Sequence, residues 1–176
     1  LIATGGGLGA VIWDAGTGEQ QRILPLSTRS LAFSQDATRI LIGAGNHAEE
    51  WDWATGEKVQ VFPEMPSPWG TLGPSLSVGR VAYSSDGLKA FGGCQVEAAI
   101  WSTETGGTIR SYLIDSICPG MYCPYYYPTA LAWDYMAEGD KVLCLGHTFT
   151  EYTIFPYNHV VEANVLDLWD NDDATP

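Results

Sequence analysis

Short runs of alternating apolar and polar residues, broken by polar turns, recur along most of the chain, and a period of two predicts β-strands. Two patterns repeat. The segments VIWDAGTGE around Trp13, EEWDWATGE around Trp51 and AIWSTETGG around Trp101 each end an apolar run on Trp. Thr-Gly follows four and five residues later, as Thr17-Gly18, Thr55-Gly56 and Thr105-Gly106; a fourth Trp in similar company, Trp169, stands in VLDLWDND. Between them lie SLAFSQDATRILIGA, RVAYSSDGLKAFGG and TALAWDYMAEGDKVLCLG, each an apolar run, a polar turn containing Asp, and a second run ending in Gly.

The turn chemistry is readable. Asp bonds its own backbone and Gly accepts positive φ, so Ser-x-Asp-Ala/Gly between two runs predicts a tight hairpin. The run ending in Trp predicts a strand whose ring packs on a neighbouring sheet. Each full repeat is therefore a four-stranded meander, a to d. A partial repeat covers 1–24 as strands b, c and d (LIATG, AVIWD, QQRIL). The next covers 29–62, with strands at 29–33, 39–44, 48–53 and 58–62. A third covers 80–113, with strands at 80–83, 89–93, 97–101 and 108–113. A second partial repeat covers 129–170, with strands at 129–133, 141–146 and about 164–169, before an acidic tail at 171–176.

With Trp13-Asp14 and Trp51-Asp52 followed by Thr-Gly, and the Phe33-Ser34-x-Asp36 and Tyr83-Ser84-x-Asp86 turns ahead of the last two Trp strands, the chain resembles the WD-repeat family. Trp101 departs from the pattern by preceding Ser, and no Gly-His pair stands before an innermost strand. The resemblance implies an all-β fold: a β-propeller of about three to four four-stranded antiparallel blades, part of a ring of about seven. Trp13 and Trp51 are 38 residues apart, near the ~40–45 of one blade. The later intervals, 50 and 68 residues, imply insertions.

Successive connections of a meander alternate between the two ends of a sheet. All three long insertions, 63–79, 114–128 and 147–163, therefore fall on one face. They carry Trp69, Tyr122, Tyr125, Tyr126, Tyr127, Tyr152, Phe155 and Tyr157, interleaved with Pro. Tyr and Trp give large contact area with a polar tip, which makes these residues the expected partner-binding set. The alternative is that they pack under their own loops.

Charge narrows the class of partner. Of a net −13, residues 114–176 contribute ten acids against Lys141 alone. Such a field repels phosphate backbones and anionic lipid, so nucleic-acid and membrane partners are not expected, while a basic protein surface is. Four Cys are too few for a disulfide scaffold, and Cys118 and Cys123 leave both a bridge and two thiols open. An intracellular setting, cytoplasmic or nuclear, is the expectation.

Chemistry-bearing motifs are sparse. Gly5-Gly6-Gly7-Leu8-Gly9-Ala10 fits a loose dinucleotide fingerprint, but a strand and turn follow where that site needs a helix, so a b–c hairpin accounts for it better. Of His47, His147 and His159, the last two share one insertion and could meet Cys118 or Cys123 in space, but a metal needs three or four converging ligands, and structural histidines and thiols are the expected reading. Glu49-Glu50 and Asp172-Asp173 are adjacent, so on a strand each pair points to opposite faces, and solvated surface is the expectation for both. The function expected is protein–protein scaffolding without cofactor, metal or catalysis. The alternatives are a cofactor- or metal-dependent propeller enzyme and a purely structural part of a larger propeller. Fourteen strands, starting at b and ending at c, require completion by the remainder of a longer chain or by a second copy.

Overall fold

The computed structural model describes residues 1–64, 77–94 and 97–113, and only the backbone of Tyr112, Leu113 and the strands within 128–136, 141–154 and 157–170. Four antiparallel sheets account for them, and no helix occurs among the described residues. The first contains β1 (Ile2–Gly6), β2 (Gly9–Trp13) and β3 (Gln20–Leu24). The second contains β4 (Ser30–Phe33), β5 (Arg39–Ala44), β6 (His47–Asp52) and β7 (Glu57–Val61). The third contains β8 (Arg80–Tyr83), β9 (Lys89–Gly93), β10 (Glu97–Ser102) and β11 (Thr108–Leu113). The fourth contains β12 (Pro128–Met136), β13 (Lys141–Ile154) and β14 (Tyr157–Asp170). Every sheet is a meander of consecutive strands, as the turn spacing predicts.

In the first three sheets each strand starts and ends within one residue of its expected position. The glycine run is a hairpin, with Gly6 opposite Gly9 across a two-residue turn. Gly9 is required there: its φ is +146°, and a Cβ would lie 2.6 Å from the Leu24 carbonyl oxygen.

The fourth sheet corrects one expectation. Residues 147–163 are not an irregular insertion, because β13 and β14 pair continuously from Lys141↔Asp170 to Ile154↔Tyr157. The segment TFTEYTI-FPYNHVVEA is rich in β-branched and aromatic residues, and such residues favour strand pairing over a loose loop. Pro128, expected at the end of an insertion, opens β12, where its missing N–H is tolerated at a strand start.

The core lies between sheets. Ala10, Ile12 and Leu24 of the first sheet pack with Ile40 and Ile42 of the second, with Phe33 and Trp51 at the margin. Leu41, Ala48 and Phe62 pack with Val81, Ala90, Ala99 and Trp101 of the third. β5 thus sends Ile40 and Ile42 one way and Leu41 the other. Val78, just before β8, is tucked against β5: a Cβ on Gly43 would lie 2.5 Å from the Val78 carbonyl oxygen.

Trp101 is the largest side chain in this core, 1% exposed and stacked on Phe62 with ring centroids 5.2 Å apart. Trp101→Ala should cost about 3–5 kcal/mol. Equilibrium denaturation checks this, with the truncation expected to lower the midpoint and leave strand content intact.

Candidate functional site

The repeated turns set the geometry of one face. After each Trp strand the next residue caps the turn into the outer strand. Asp14 Oδ1 accepts from the Gly16 and Thr17 amides at 2.7 and 2.9 Å, and Asp52 Oδ1 from the Thr55 amide at 2.9 Å. In the third sheet Ser102 Oγ takes the same place, accepting from the Thr105 amide at 3.2 Å. The turns close on Gly18, Gly56 and Gly106, whose φ values of +75°, +76° and +72° explain the invariant position of Gly in the Thr-Gly pairs. The Asp14 and Asp52 carboxyls are held below their usual range chiefly by those backbone amides.

Turns between first and second strands share this face. Ser34 Oγ donates to Asp36 Oδ1 at 2.7 Å and accepts from the Arg39 amide at 2.9 Å, while Ser84 Oγ does the same for Asp86 and Lys89 at 2.6 and 2.9 Å. Hydrogen bonds from the Ser34 and Ser84 hydroxyls lower the Asp36 and Asp86 pKa values. Outer strands then clasp the neighbouring sheet: Arg22 of β3 donates to the Ala54 carbonyl in the turn after β6.

Trp13, Trp51 and Trp101 occupy equivalent places with unlike anchors. Trp13 Nε1 donates to Thr4 Oγ1 at 3.0 Å, Trp51 Nε1 donates to Glu49 Oε2 at 2.9 Å, and Trp101 stacks on Phe62. Trp169 lies in β14 opposite Val142.

Glu49 and Glu50, expected on the solvated surface, are buried at 7% and 6% exposure. Successive residues of a strand face opposite ways, and sheets cover both faces of β6. Burial raises the Glu49 pKa, but hydrogen bonds from Lys58, His47 and Trp51 outweigh it and hold the carboxyl below its usual range. Lys58 Nζ lies 2.7 Å from Glu49 Oε1 and 5.2 Å from the Trp51 ring centre. On the other face, the Tyr83 hydroxyl of the third sheet donates to Glu50 Oε1 at 2.7 Å. Burial first, then the charge of Glu50, pushes the Tyr83 phenol upward, so it remains the donor. Sequence periodicity marks the Glu50 position but not its partner: counting from Trp, Glu50 takes the place of Ile12 and Ile100, both buried.

Glu97 is a third buried carboxyl, 4% exposed, and its Oε2 has no hydrogen-bond partner among the described residues. Burial pushes its pKa up to about 7.

The face expected to bind a partner is described only in part. Trp69, Tyr122, Tyr125, Tyr126, Tyr127 and Phe155 lie outside the described residues, as do Cys118 and Cys123. Tyr152 and Tyr157 are placed on the β13–β14 hairpin, opposite His159 and Ile154 respectively. His147 pairs with Asn164, five ladder steps, or about 17 Å along the hairpin, from His159.

No protein-family model matches the chain, and no curated protein matches it. Solved structures do. A chain titled "Crystal Structure of Mitotic Checkpoint Complex" aligns with a TM-score of 0.67 at 14% identity, over 99% of this chain and 45% of its own length. A chain of "Kuenenia stuttgartiensis Hydrazine Synthase" aligns with a TM-score of 0.59 at 12% identity, over 89% and 44%. Both are β-propeller proteins. The chain has the β-propeller fold. Its four sheets are blades, and it spans less than half the length of either match.

The orphaned carboxyl gives a pH prediction. A carboxyl raised from 4.5 to about 7 favours the folded state fully while protonated in both states, below about pH 4.5. Its contribution declines as pH climbs to about 7 and is flat beyond. Glu97→Gln should therefore raise stability at pH 8 by on the order of 1–3 kcal/mol and change little at pH 4.5. Thermal unfolding of both proteins across pH 4.5–8 checks it.

Proposed function

We propose that this chain is a protein-interaction scaffold of WD-repeat type, binding a partner protein through the blade face that carries 63–79, 114–128 and the hairpin at 147–163. The β13–β14 hairpin carries the reading. β12 accompanies β13 only as far as Thr148, where Pro128 pairs with it. Beyond that point, among the described residues, β13 and β14 continue as a two-stranded ribbon of six residues a side, Phe149–Ile154 against Tyr157–Glu162, roughly 20 Å long. A two-stranded ribbon is marginally stable on its own in water, so a ribbon of this length with Phe149, Tyr152 and Tyr157 in it gains from a surface that covers it. The excess of acids over bases beyond position 113 fits a partner with a basic surface. The propeller in a checkpoint complex is a precedent for the fold within a protein assembly.

The test is a shortened hairpin, with residues 149–162 replaced by Asn-Gly to close the ladder at Thr148 and Ala163. Proteins crosslinked to the intact and shortened forms in cells would be compared by mass spectrometry. The expected result is loss of a specific set of basic partners, with an unfolding midpoint unchanged within a few degrees. An unchanged partner set would overturn the reading.

A further inference from the structure

The opposite face of the propeller, built from short turns, holds a cleft of about 550 Å³ between the second and third blades, lined in part by Ser34, Asp36, Arg39, Glu50, Tyr83 and Asp86. That volume is ample for a side chain or a short peptide segment. Three of these residues are carboxylates. The one guanidinium, Arg39, is already paired to Asp52 at 2.8 Å. Asp36 and Asp86 stand at the two rims, each fixed by its serine hydroxyl.

Glu50 is the observation that points to a ligand. At the boundary between the first and second blades the equivalent residues are Ile12 and Phe33, which pack in an apolar cluster. Between the second and third blades the same two positions are Glu50 and Tyr83, joined by a hydrogen bond. The fold has no need of an acid there, and burying one costs desolvation that an apolar pair avoids. Tyr83 bonds Oε1, and among the described residues nothing else bonds this carboxylate, so Oε2 is the acceptor that a residue 94% buried can present to the cleft it lines.

We propose that this cleft binds a guanidinium or ammonium group, carried by an arginine or lysine side chain of a partner protein. Glu50 is the central acceptor, Tyr83 orients it, and Asp36 and Asp86 complement the cation at the rims. The net charge of −13 steers such a group toward the protein. This site lies on the face opposite the hairpin and stands independently of the reading given to that face.

The test is an NMR titration of the full protein with an acetylated nonapeptide of glycine and serine carrying one central Arg. The same peptide with Lys, the same peptide with citrulline, and ethylguanidinium alone complete the set. The Arg and Lys peptides are expected to move the amides of the turns at 34–39 and 84–89, and the uncharged citrulline peptide is not. Glu50→Gln keeps an acceptor for Tyr83 but removes the charge, and should weaken binding at least about tenfold. The double variant E50I/Y83F installs the pair found at the preceding blade boundary and should abolish binding while unfolding no earlier than the parent. Shifts that are absent, equal with citrulline, or unaffected by Glu50→Gln would overturn the site. Ethylguanidinium binding as tightly as the peptide would overturn its assignment to a protein partner.

Discussion

Ile40, Leu41 and Ile42 follow one another along β5 with no exposure, although neighbouring side chains of a strand leave opposite faces of the sheet. A sheet whose central strand is apolar on both sides cannot be covered on one side only. It must lie between two others, and each of those inherits the same requirement. The order of the molecule follows from this: Ile12 and Leu24 cover one side of β5, and Val81, Ala90 and Trp101 of the next blade approach the other. Stacking of blades is where the apolar surface leaves water.

Polar groups inside that stack are tolerated to the extent that they are paired. Glu49 is served by a lysine, a histidine and an indole, and Glu50 by one phenol. Glu97 has an oxygen with no partner among the described residues, and burial holds its proton on to near neutral pH. Glu49 and Glu97 show burial and hydrogen bonding competing for a carboxyl, with the donors prevailing at Glu49 and burial at Glu97.

The turns show one geometry reached by different residues. The position after Trp needs an acceptor for the amide three residues on, and Asp14, Asp52 and Ser102 all supply it. The turn between first and second strands needs a residue at positive φ. It is Gly87 in the third blade and Ala37, at φ 56°, in the second. What is conserved between blades is the backbone's requirement and not the side chain that meets it.

Strands, turns and the repeat were legible in this chain because each is decided locally. Alternation fixes which residues share a face, Asp and Gly fix where the chain reverses, and Trp13, Trp51 and Trp101 mark the same strand three times. The irregular reading of 147–163 failed because its strand propensity could not be distinguished from loop aromatics until β13 met β14 across fourteen ladder positions. The adjacent carboxylates Glu49 and Glu50 were legible as pointing apart. That both would be buried depended on a blade standing on each side, and that Glu50 would meet Tyr83 depended on two strands 33 residues apart in sequence. Local rules set the direction of a side chain, whereas its burial and its partner belong to whatever the fold places across from it.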